Sequence, residues 1–225
     1  MESLLPRYTH IVNRRLRNTY LTFDDDGELV IKSPEVSQRY IEQLLIKKAA
    51  WIANAQKRVK ARKGKLPGYT SDAHCYYLGD HLPIRFITAS KKRVKTGKGL
   101  DHLELYAPAF SDDSVRAQLE AFYKEEANRF IINSVAFWSE KMGVTYGSVK
   151  FRKAKRQWGS CSAKNDLSFN PMLMKLPIEA IEYVVVHELA HTRHKHHQKA
   201  FWAFVEEHMP NYREHEAVLK TYSPS

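Results

Sequence analysis

Tyr183-Val184-Val185-Val186-His187-Glu188-Leu189-Ala190-His191 is the stretch on which the reading turns. Its apolar residues predict a buried helix, opened by Pro177, with Glu179 and Glu182 in the first turn where the helix dipole favours acids, and continuing to about His194. His187 and His191 are four residues apart, so they lie one turn above each other and both imidazoles can meet one metal ion. Glu188 sits about 100° around the helix, beside the ion, where its carboxylate can take a proton from a metal-bound water. Zinc lowers the pKa of such a water toward ~7 and polarises the carbonyl under attack. Two surface histidines beside a chance glutamate are the competing explanation. The buried context weighs against it, because histidine and glutamate in a core are costly without partners.

A catalytic zinc site takes three protein ligands and leaves the fourth position for water. His194 follows His191 by only three residues, so on a continuing helix it lies a turn too far along to share the ion. His197 can reach it if the helix ends and the chain folds back, with Phe201-Trp202 anchoring a last helix from about Gln198 to His208, stopped by Pro210. His197 is therefore the favoured third ligand and His196 the alternative. One zinc per chain is expected, although three imidazoles also suit other divalent transition metals.

Upstream, Trp158-Gly159-Ser160-Cys161-Ser162 precedes Leu167, Asn170 and Leu176-Pro177, and Met209-Pro210 lies downstream. This ordered series, together with the helix and His197 before Phe201-Trp202, resembles the YgjP-like metallopeptidases, a family grouped with M48-type zincins and similar in its site to SprT-like proteases. The resemblance implies a zincin-like fold, His187, His191 and His197 as metal ligands, and Glu188 as general base. Two positions depart from the family's pattern. His196-His197-Gln198 replaces its usual Asn-His-Ser, and Asn165 stands where a glycine is usual, a mild change since asparagine also tolerates left-handed backbone. Trp158, Gly159 and Ser160 are candidate substrate-binding residues, because zincins commonly present a sheet edge beside the metal on which an extended substrate is added as a strand. Gly159 permits a close approach there.

Farther out, Ser111 to Met142 repeats apolar residues at three- and four-residue steps and ends at Gly143, which predicts one long helix with a glycine cap. Val149 to Phe151 and Leu167 to Phe169 read as strands. Before Pro108, Tyr20 to Phe23 and Leu29 to Ile31 flank the turn Asp24-Asp25-Asp26-Gly27, and a second hairpin spans Tyr76 to Ile87, followed by a basic loop at 90–99 and a strand at Leu103 to Tyr106. Between the hairpins, Ser33 as N-cap and Pro34 predict one helix ending near Gly64. The expected architecture is α+β: a β-rich N-terminal module with one helix over 1–107, then a zincin-like metal-dependent hydrolase core over 108–225.

Hydrophobic residues make up 43% of the 225 and charged residues 27%, which excludes collagen-like and wholly disordered classes. No run approaches the ~18 apolar residues of a membrane span, and the N-terminus lacks an apolar signal core, so a cytoplasmic address is expected. Cys75 and Cys161 are too few for a disulfide framework and read as free thiols. The net charge of +11 belongs to the first hundred residues, which hold 20 basic and 9 acidic side chains, against 16 of each afterwards. The excess gathers at Lys57 to Lys65 and Lys91 to Lys98, a field that attracts polyanions. The leading functional reading is hydrolysis of peptide bonds in a peptide or protein substrate. The alternatives are a metal-dependent hydrolase of nucleotide phosphoanhydrides held by the basic N-terminal part, and a nucleic-acid-associated protease. Oligomeric state has no signature in the chain.

Overall fold

A computed structural model describes residues 6–24, 27–62, 64–97 and 101–224. The expected turn residues Asp25 and Asp26, and the basic residues Lys63 and Lys98, lie outside the described residues. The chain divides into two compact units, Met1–Arg62 and Lys63–Ser225.

In the first unit, strands β1 (Tyr8–Val12), β2 (Tyr20–Phe23) and β3 (Leu29–Ser33) are followed by helices α1 (Gln38–Lys47) and α2 (Ala49–Lys60). The predicted hairpin is β2 antiparallel to β3. β3 is central, and β1 pairs parallel on its other edge. Leu29, Ile31, Ile41, Leu45 and Ile52 form a small core. Two expectations fail here. Ser33 does not cap a helix: it ends β3, and its hydroxyl donates to the Pro34 carbonyl at 2.7 Å. Ser33 stays in the ladder opposite Val12, and its carbonyl accepts from the Asn13 N–H at 2.8 Å instead of opening a helix, so the helix starts four residues later, capped by Ser37 accepting from the Tyr40 N–H. The single expected helix is also two, broken at Lys48 with ψ 8°. The apolar spacing runs through this bend undisturbed, so Leu45 and Ile52 still meet in one cluster and periodicity carries no sign of the break.

The second unit contains β4 (His74–Tyr77), β5 (Asp80–Thr88), β6 (Arg93–Thr96), β7 (Leu103–Ala107), α3 (Asp112–Met142), β8 (Val149–Phe151), β9 (Gly159–Cys161), β10 (Leu167–Phe169), a 3-10 turn (Pro171–Lys175), α4 (Ile178–Arg193), α5 (Lys199–His208) and α6 (Tyr212–Leu219). With the first unit, that makes a mixed α/β structure of six helices and three small sheets among the described residues. One sheet has the order β4-β5-β7-β6. Leu82, Ile84, Leu103 and Leu105 share a core with Val115, Leu119 and Phe122 of α3. That shared core explains why the observed division falls after Arg62 and not after Ala107: the second hairpin buries its apolar face against the long helix. β6 occupies part of the expected basic loop, where only Val94 is half-buried, so its apolar alternation is too faint to mark a strand.

α3 matches its predicted span. The Ser111 hydroxyl accepts from the Ser114 N–H, and Gly143 closes the helix in the left-handed region at φ 61°. α4 lies in the middle of the core, with Val184, Val185, Val186, Leu189 and Ala190 buried. It packs against α3, α5, α6 and β9. β9 and β10 form an antiparallel pair with β8 parallel on the far side, so the order is β8-β10-β9 and β9 is an edge. Asn165, in the turn between them, has φ 62°, the conformation that asparagine tolerates in place of glycine.

Candidate metal centre

α4 carries His187, Glu188 and His191 toward β9 and α5. The helix ends at His194, whose N–H still bonds the Ala190 carbonyl, and the chain then turns back through His196 and His197 to start α5. This reversal brings the His197 Nε2 to 3.0 Å from both the His187 Nε2 and the His191 Nε2. The three residues form a group whose ligand atoms all lie within 4.8 Å of one another. His196 is exposed and outside the group, and Cys161 does not join it.

The donor set suits a cation. His191 Nδ1 lies 3.0 Å from the His194 carbonyl and donates to it, which leaves the Nε2 lone pair facing the other two rings. Burial, then the neighbouring His191 and His197, pushes the His187 pKa down to about 3, so this imidazole is neutral, as a metal ligand must be. Burial also lowers His191. Three imidazole nitrogens that converge in this way are stabilised by a positive ion at their centre, and borderline-soft zinc takes such nitrogens readily.

Aromatic rings hold the imidazoles in place. Phe201, fully buried, lies 5.0, 4.5 and 4.8 Å from the rings of His187, His191 and His197. Trp202 stacks on His197 at 5.7 Å, and Tyr212 of α6 stacks on Trp202 at 5.3 Å. α6 and the His194 carbonyl were not foreseen: the carbonyl is invisible to side-chain motifs, and Tyr212 follows Pro210 in a short polar segment with no strong periodicity.

Glu188 is 6% exposed, and burial raises its pKa to about 8. A nearby cation counteracts that rise by favouring the carboxylate. Its side chain lies against the Gly159 backbone: a methyl group at Gly159 would stand 2.7 Å from the Glu188 Cγ and Oε1. Gly159→Ala must therefore displace either the strand or the carboxylate. Since a misplacement of 1 Å can cost about 10²-fold in rate, turnover is expected to fall by roughly that factor while the melting temperature changes modestly. Undiminished turnover would show that the contact is not needed.

Trp158, Gly159 and Ser160 are half-buried, and β9 has no strand partner on its outer edge among the described residues. Lys195 adds a contact that no motif suggested, although it sits between His194 and His196. Its Nζ donates to the Ser162 carbonyl at 3.0 Å and to the Asn165 Oδ1 at 2.5 Å, and lies 3.8 Å from the Cys161 Sγ. Cys161 and Cys75 are free thiols, both with raised pKa from burial, Cys75 up to about 12.

A family model described as YgjP-like, metallopeptidase domain, matches residues 17–222. The chain is also similar to the metallopeptidase zymogen abylysin of Pyrococcus abyssi, with 24% identity over 41% of this chain and 93% of that one and a TM-score of 0.39. No curated protein matches. No helix among the described residues is long and apolar enough to cross a membrane.

Proposed function

Because the chain belongs to the YgjP-like metallopeptidase family, we propose that it is a zinc-dependent peptidase in which His187, His191 and His197 hold the ion and Glu188 is the general base. The observation that supports this reading most is the convergence of three Nε2 atoms at the end of a buried helix whose intervening glutamate lies against an open sheet edge. When bound, zinc supplies a Lewis acid that acidifies water and polarises a carbonyl. Glu188 takes a proton from the attacking water on its carboxylate and returns it to the leaving amine nitrogen. Its buried surroundings, which raise its proton affinity, help it hold that proton between the two transfers. β9 receives the substrate as an extended strand through its free peptide groups, and Trp158 and Ser160 flank the position where the backbone of Gly159 meets the base.

The test is a side-by-side assay of the zinc-loaded protein on an unfolded polypeptide and on nucleoside triphosphates. Fragments of the polypeptide that appear with zinc and vanish with chelator are the expected result. Phosphate or pyrophosphate release without cleavage of the polypeptide overturns the proposal.

A further inference from the structure

The sheet β4-β5-β7-β6 ends on β6, and among the described residues the outer edge of that strand has no partner. Two adjoining cavities, of about 370 and 520 Å³, lie between β6 and α3. Together they touch every residue from Lys92 to Thr96. Successive strand residues point to opposite faces, yet the first cavity meets Lys92, Arg93 and Val94 in a row and the second Val94, Lys95 and Thr96, so both reach the strand from its edge, where its unpaired peptide groups are; the second continues to Tyr77 and Leu78 at the end of β4. The facing wall is one stripe of α3. Ala117 and Ala121 are small and exposed, which lets another backbone come close, and Phe122 with Val94 supplies an apolar floor.

Gln118 lines the same groove. It is 8% exposed, and neither its amide oxygen nor its amide nitrogen has a hydrogen-bond partner. Buried polar groups are rarely left so. A primary amide short of both a donor and an acceptor is matched by a peptide unit, which offers one of each. Charge narrows the occupant further. Lys92, Arg93 and Lys95 line the strand side of the groove, and Arg129 stands beside Glu125 and Glu126 on the helix side, so basic side chains outnumber acidic ones four to two. In a chain of net charge +11 this basic edge repels a second copy and attracts an acidic segment.

We propose that the groove between β6 and α3 binds an extended, acidic polypeptide segment, which adds to β6 as a further strand and hydrogen-bonds through its backbone to Gln118. The amide atoms of Gln118 are buried in the structure, so binding requires that the side chain turn toward the segment. The inference goes beyond the peptidase reading and holds whether or not the metal centre cleaves peptides.

The test is fluorescence anisotropy of the full chain, with chelator present, against a fluorescein-labelled peptide alternating glutamate and valine. Saturable binding is expected. It weakens by about tenfold or more in Gln118→Leu, where the hydrogen bonds are lost, and in Ala121→Trp, where the groove is filled. Gln118→Leu is expected to keep or raise the melting temperature, which separates lost binding from lost folding. A peptide of the same sequence with alternate N-methylated peptide bonds is expected not to bind. Absence of saturable binding, equal binding of the N-methylated peptide, or binding unchanged in both variants overturns the proposal. A dimer in sedimentation that Ala121→Trp dissolves also overturns it, by making a second copy the occupant.

Discussion

His197→Ala is expected to lose most of the bound zinc, whereas His196→Ala keeps it. The His197 Nε2 lies 3.0 Å from both partner nitrogens, so its removal leaves two imidazoles with an open side. Loss of a mere hydrogen-bond partner of a ligand already costs 10- to 100-fold in metal affinity, so loss of the ligand itself is expected to cost on the order of 10² or more. His197 is exposed, and α5 is anchored by Phe201, so the fold survives the change. Zinc content after dialysis, with a competition titration against a chromophoric chelator, reads the effect. Retention of zinc by His197→Ala together with its loss from His196→Ala would falsify the assignment.

Glu188→Gln is expected to keep the metal and lose the chemistry. Glutamine preserves the volume packed against Gly159, so β9 and α4 stay together, but an amide cannot take a proton from water. Loss of a general base lowers turnover by roughly 10² to 10⁴, and more if the same carboxyl also protonates the leaving group. A metal-free variant would make Glu188 a structural residue. A metal-loaded variant with full turnover would refute its role as base.

The clustering of the three histidines was more legible than the fold around it, for a physical reason. Histidines four apart in an apolar helix leave few explanations besides a shared ion, and the backbone reversal that brings in His197 is announced by the Phe201-Trp202 anchor. Helices with whole-turn apolar stripes and explicit caps, such as α3 between Ser111 and Gly143, were equally plain. What escaped notice depends on contacts distant in sequence. β1 has a mixed exposure pattern and becomes a strand only because β3 offers it an edge. β6 is mostly exposed, and pairing with β7 defines it. The division after Arg62 follows from the shared core of the second hairpin and α3, which no local composition shift reveals.

Lys195 joins two parts of the site that are far apart along the chain. The residue before it lends its carbonyl to His191, the second residue after it is His197, and its own ammonium grips the turn that closes β9 and β10. Opening either segment breaks bonds of the other, so the two are expected to fluctuate as one cooperative unit. A ligand that binds only the closed form raises the free energy of that opening with its concentration. Amide protons in the turn, such as that of Ser162 held by the Asp166 carbonyl and that of Asn165 held by Ser162, would then exchange with solvent more slowly as zinc is added, in step with the amide of His194. Occupancy of the centre would thus be recorded as a clock rate at backbone positions that never touch the ion.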